Sequence, residues 1–230
     1  MLKERYEAVV CEVRLAAEAA DRPAESVTLI AVGKTHPAEA IQEVYDLGHR
    51  DFGENKVQEL TEKYECLPKD IRWHFIGHLQ RNKVKYLMGK TALIHSLDSV
   101  KLARKIESES LKKDVHTDVL IQVNICDEEQ KFGVSIAALP ALLQFCESCE
   151  RLHVQGLMLI PPFDLSNTEL ERVFNEFYAL SLDIKRQKLD NINMNVLSFG
   201  MSGDFPEAIR HHSTMVRVGT GIFGERDYNN

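Results

Sequence analysis

The stretch that decides the fold is VTLIAVGKTHP, residues 27–37. Its apolar, β-branched first half runs into Gly33 and Pro37 and reads as a buried strand. Lys34 then stands at the C-terminal end of that strand, where Pro37 opens an amphipathic segment. Partial desolvation favours a neutral amine, and a neutral amine attacks an aldehyde to form a Schiff base. Position alone favours a plainer reading, a lysine whose stem packs on the strand end with its head in water. What the rest of the chain places around this amine decides between them.

Working outward, the same alternation recurs. Residues 2–20 form a helix before the first strand, with Val9, Val13, Ala16 and Ala20 on one face. Ala38, Ile41, Val44 and Tyr45 mark a helix that Gly48 stops. HRDFGEN (49–55) holds a second strand, and residues 56–64 are helical. IRWHFIGHL (71–79) holds a third strand, with a short helix over 80–88. TALIHSLDS (91–99) is a fourth, its Asp98 or Ser99 capping a helix to residue 110. Residues 118–125 are a fifth strand, and Ser135 caps a helix through residue 149. Residues 154–160 are a sixth strand, stopped by Pro161 and Pro162. Ser166 and Glu169 form a capping box ahead of a helix through residue 182. Residues 195–199 and 215–218 supply the seventh and eighth strands.

Eight strands alternating with helices in 230 residues predict a single-domain α/β (β/α)8 TIM barrel, with one extra N-terminal helix. An open doubly wound sheet is the alternative, but Gly33 stands without the G-x-G-x-x-G that a dinucleotide fold would carry. The composition is that of a globular protein, 44% hydrophobic and 27% charged, with a net charge of −7 that argues against a general grip on nucleic acid. No apolar run reaches the roughly 18 residues of a membrane span, and MLKERYEAVV lacks a signal-peptide core, so a cytoplasmic location is expected. Five cysteines, an odd number, suggest reduced thiols. The Cys146/Cys149 pair continues an apolar helical face with Ile136, Leu139 and Leu143, which points to packing.

In such a barrel the chemistry gathers at the C-terminal ends of the strands. Those ends carry Lys34, Asn55, His78, Met158, then Ser198, Met201, Ser202 and Gly203, then Arg217, Gly219 and Thr220. LSFGMSGD (197–204) and VRVGTGIFG (216–224) are two glycine-rich turns, each leading into a short helix. Together, after the last two strands, they predict a phosphate cup, although either turn by itself reads equally well as a tight turn. Ring closure would set the cup beside the first strand. An amine and a phosphate cup one small ring apart point to pyridoxal 5′-phosphate (PLP). Arg217 shares this space if Val216 and Val218 face the helices. A guanidinium only donates hydrogen bonds, so it would leave a ring nitrogen unprotonated and weaken the ring as an electron sink. No metal site is expected, since His74 and His78 on one strand lie more than about 12 Å apart. Arg81, Lys83 and Lys85 read as a solvated helix face.

VGKTHP, DFGENKVQE, WHFIGHLQRNK, HSLDS, IQVNICDEEQKFGV, GLMLI, LSFGMSGD and STMVRVGTGIFGER together resemble the YggS/PROSC family, the pyridoxal phosphate homeostasis proteins. The resemblance spans nearly the whole chain with its motifs in order. It implies a barrel like the N-terminal domain of alanine racemase. It further implies Lys34 as the Schiff-base lysine, Arg217 at the pyridine nitrogen, and Ser202, Gly203, Gly219 and Thr220 at the phosphate. Asn55 and His78 would lie near the ring, and Lys131 would match a lysine that some members use in a second cofactor contact. DEEQKFG departs from the serine or threonine that many members place before that lysine. The implied role is to carry and buffer PLP, with PLP-dependent apoenzymes as partners and a monomeric protein. The alternative, an amino-acid racemase, needs a second acid/base, a tyrosine from an added β-domain of a partner subunit. The sequence ends at Asn230 just after the eighth unit, and Tyr228 stands near that terminus, so the carrier is the expected function.

Overall fold

A computed structural model of the chain describes residues 1–127 and 132–225; Lys131 and Tyr228 lie outside the described residues. The strands are β1 (Thr28–Val32), β2 (Asp51–Glu54), β3 (Arg72–Phe75), β4 (Leu93–Leu97), β5 (Thr117–Asn124), β6 (Val134–Ser135), β7 (Leu152–Met158), β8 (Ile192–Ser198) and β9 (Met215–Val218). Between them run α1 (Leu2–Ala19), α2 (Ala38–Asp46), α3 (Val57–Cys66), α4 (Val100–Lys113), α5 (Leu139–Glu147), α6 (Asn167–Gln187), α7 (Phe205–Arg210) and α8 (Thr220–Phe223), with a 3-10 turn at Arg81–Tyr86. Every pairing is parallel, in the order β4-β3-β2-β1-β9-β8-β7-β5, and a β4–β5 pairing closes the ring. The predicted eight-stranded barrel is therefore the observed one, and an open sheet is not. β6 is an addition the sequence reading did not foresee; it lies beside β5 through Val123↔Val134, outside the ring.

Strand periodicity sorts the side chains into two layers. Leu29, Ala31, Phe52, Trp73, Val216 and Val218 join the main core under the helices. The barrel interior is different. It holds a small apolar cluster of Leu93, Leu120 and Met158 beside buried Asp51, His74, His95, Ser198 and Arg217. α1 presents Val9, Val13 and Ala17 to the core; Ala16 and Ala20 are only half-buried, because 3.6-residue periodicity carries Ala17 onto the Val13 stripe. Near its start, Arg5 donates to the carbonyls of Ile222 (3.0 Å) and Phe223 (3.2 Å), so the extra helix braces α8.

The caps follow the sequence in part. Ser99, not Asp98, caps α4 by accepting from the Leu102 amide, and Ser166 and Glu169 form the capping box of α6. Ser135 belongs to β6 and accepts from the Ala138 amide, while α5 begins only at Leu139, with Pro140 in its first turn. Ile136 consequently lies ahead of the helix and is exposed. Cys146 is buried in α5; burial pushes the Cys146 and Cys149 thiols up to about 12, which leaves both protonated and unreactive. His74, too, is a satisfied barrel residue, bonded within the interior.

Candidate cofactor site

β1 and β9 pair with Ile30↔Arg217 and Ala31↔Val218, which brings the loop after β1 and the turn after β9 to one rim. The two glycine turns meet there. Thr220 Oγ1 donates to Ser202 Oγ at 3.1 Å, and Gly219 packs so closely that a Cβ would lie 3.3 Å from the Val32 carbonyl oxygen. The amides of Ser202 and Gly203 make no backbone hydrogen bond among the described residues, and a Cβ added at Gly203 would meet nothing within 4 Å. This is an open cradle with donors to spare, the arrangement an anion needs. Met201 plays another part. Its amide donates to Asp204 Oδ1 at 2.6 Å and its carbonyl accepts from Asp204 and Phe205, so its backbone shapes the turn and is not offered to an anion.

Lys34 is half-buried on the neighbouring loop, and that loop is held from three sides. The Gly33 amide donates to the Gly53 carbonyl (3.0 Å), the Thr35 amide to Glu59 Oε2 (2.9 Å), and Lys63 Nζ to the Gly33 carbonyl (2.9 Å). Thr35 sits at φ +68°, a conformation a β-branched residue adopts only when its surroundings impose it. Lys63 also pairs with Glu54 Oε1 at 2.5 Å. Burial pushes the fully buried Glu54 carboxyl up to about 7, although the Lys63 ammonium pulls against it. Its Oε2 has no hydrogen-bond partner among the described residues. Sequence reasoning missed Glu54, Glu59 and Lys63. A signal existed: an acid closes the second strand, and residues 59 and 63, four apart, share one face of the next helix.

Arg217 points into the barrel, as the outward placement of Val216 and Val218 requires. It is 4% exposed and donates from Nη1 to Ser198 Oγ (2.7 Å) and from Nη2 to the Leu159 carbonyl (3.0 Å). Burial pushes its guanidinium down to about 10, still cationic at neutral pH. Asn55 follows β2, and its buried Oδ1 has no hydrogen-bond partner among the described residues. His78 is exposed, 3.4 Å from Asp98 Oδ2, and stacks on Phe132 with ring centroids 4.0 Å apart. Asn55 and His78 share a small groove of about 200 Å³. Met158 is fully buried in the interior cluster and forms floor beneath the rim.

Gly77 is what lets these loops approach. A Cβ there would lie 2.1 Å from the Asn55 carbonyl oxygen, backbone that has little room to shift. Gly77→Ala is expected to cost about 2–3 kcal/mol in a urea denaturation, as overpacking against backbone does. A variant as stable as wild type would contradict that packing.

A closed parallel barrel with a lysine at the end of its first strand, set beside two joined glycine turns, defines a class: (β/α)8 barrels with an amine and an open glycine cradle at one rim. The family described as alanine racemase, N-terminal domain, matches residues 8–227. The pyridoxal phosphate homeostasis protein of Aquifex aeolicus is 42% identical over 226 residues, 98% of each chain. That of Escherichia coli K12 is 37% identical over 222 residues, covering 95% of this chain and 94% of its own. PipY of Synechococcus elongatus, solved with PLP bound, superposes with a TM-score of 0.81 at 35% identity, covering 93% of this chain and 99% of PipY. The chain belongs to the family of pyridoxal phosphate homeostasis proteins.

Proposed function

We propose that the chain is a single PLP-binding barrel that carries and buffers the cofactor, without turnover of its own, and yields it to apoenzymes that require it. The observation that carries this reading is the juxtaposition at one rim of Lys34 with the open cradle between Ser202 and Thr220. When bound, PLP supplies an aldehyde that a lysine amine can capture and a phosphate that anchors it. Lys34 takes the aldehyde end. Ser202, Gly203, Gly219 and Thr220 take the phosphate, with Met201 bracing their turn. Arg217 meets the ring nitrogen with Ser198 behind it, Asn55 and His78 border the ring, and Met158 supports it from below. The orphaned Asn55 Oδ1 and the open space above Gly203 fit such an occupant.

The non-catalytic part of the reading is supported by relatives named homeostasis proteins and by a guanidinium that leaves the ring nitrogen unprotonated. A cytoplasmic site of action fits cysteines that form no disulfide among the described residues. No helix among the described residues is long and apolar enough to cross a membrane. The test is transfer. Protein loaded with PLP and freed of excess should restore activity to a PLP-requiring apoenzyme, and incubation with L-alanine should give no D-alanine. Failure to retain PLP would overturn the binding, and robust D-alanine formation would overturn the non-catalytic role.

A further inference from the structure

A buried row of polar side chains runs through the barrel from Arg217 to the opposite mouth. Ser198 Oγ lies 3.0 Å from His95 Nδ1, His95 Nε2 lies 3.0 Å from His74 Nδ1, and His74 Nε2 lies 3.0 Å from Asp51 Oδ1. Asp51 Oδ2 pairs with Arg72. Exposure is 0% at Ser198 and His95, 3% at His74 and 8% at Asp51. The far end opens into a cavity of about 270 Å³ lined by Asp51, Arg72, His74, Asp118 and Gln155.

With both imidazoles neutral, one set of donors and acceptors satisfies every bond in this row. A guanidinium can only donate, so Ser198 accepts from Arg217, and in this set its single proton goes to His95 Nδ1. Complete burial, with His74 and Arg217 nearby, holds His95 well below its ordinary range and therefore neutral. Its one proton is then on Nε2 and goes to His74 Nδ1. His74 in turn donates from Nε2 to Asp51. Burial opposes the Asp51 charge, but the hydrogen bonds from His74 and Arg72 outweigh it and hold the carboxyl below its ordinary range. One tautomer of each histidine satisfies the whole row. Leu93, Leu120 and Met158 show that apolar side chains also fit this interior. Buried polar rows give little net stability over apolar packing, so stability alone does not account for this one.

We propose that Asp51, His74 and His95 are positioning residues for the cofactor site: their row fixes the Ser198 hydroxyl so that its lone pair stays on Arg217 and the guanidinium keeps its aim. This rests on the reading of Arg217 as the partner of the ring nitrogen. The far mouth is thereby coupled to the cofactor rim, although none of the three is among the residues assigned to hold the cofactor.

The experiment compares full-length variants by PLP titration, by the position of the bound cofactor's visible band, and by thermal melting without PLP. His95→Leu removes the acceptor for Ser198, whereas His95→Asn keeps an acceptor oxygen close to the Nδ1 position. His95→Leu is expected to weaken PLP binding about tenfold, the worth of one hydrogen bond to a buried group, and to shift the band. His95→Asn should bind within about threefold of wild type on the same scale. Asp51→Leu and Asp51→Asn should repeat the contrast from the far mouth, and Ser198→Ala, the smallest change, should match His95→Leu if that variant does not fold. Equal losses in the leucine and asparagine variants, or a melting change with no change in affinity or band, would overturn the proposal. Arg217→Gln separates the two readings. If it alone moves affinity and band, the row has no positioning role; if it too changes nothing, the assignment of Arg217 fails.

Discussion

Lys34→Ala is expected to abolish covalent retention of PLP. Borohydride reduction of the loaded wild-type protein should label one peptide, the one carrying Lys34, and the variant should carry no label there. Free binding through the phosphate cradle should survive at reduced affinity, because the cradle is built from β8 and β9 and does not depend on the lysine side chain. The expected loss in retention through gel filtration is complete, since a reversible covalent bond is replaced by a few hydrogen bonds of about 1 kcal/mol each. The variant should fold as wild type does. Lys34 is half-buried, and the contacts that hold its loop come from the backbone of Gly33 and Thr35. A label that persists in the variant, or that maps to another lysine in wild type, would remove the central assignment.

The second large effect is expected at Lys63. Lys63→Met leaves the fully buried Glu54 without its cation, and breaking such a pair costs about 3–5 kcal/mol. It also frees the Gly33 carbonyl, so PLP affinity should fall with stability. Adding Glu54→Gln to the same chain should recover most of the stability, because a neutral amide needs no counter-charge. The pH dependence has a definite sign. Folding raises the Glu54 carboxyl from its ordinary 4.5 to about 7. The folded state then holds a proton that the unfolded state has released. Its contribution is full below about pH 4.5 and is lost as pH rises through about 7. Urea midpoints measured at pH 5 and pH 8 should show this fall in wild type, a steeper one in Lys63→Met, and none from this group in Glu54→Gln. Identical slopes in wild type and Glu54→Gln would show that Glu54 does not titrate in this range.

The apolar runs, their glycine and proline stops and the capping residues Ser99, Ser166 and Glu169 act over a few residues, so they are legible from the chain alone. Eight such strands in alternation with helices favour a closed barrel over an open sheet, and closure sets Lys34 and the two glycine turns at a common rim. Contacts between residues far apart in the chain were not legible. That Asp204 takes the Met201 amide, and that Met158 packs in the interior cluster, depends on such contacts. The clamp of Glu59 and Lys63 on the Lys34 loop, and the row from Arg217 to Asp51, join residues up to 103 positions apart. Local periodicity is a property of a segment, whereas the partner of a buried charge or imidazole is decided only when strands meet across the barrel. The sequence by itself determined the barrel and the residues at its rim; the tertiary structure decided what holds them.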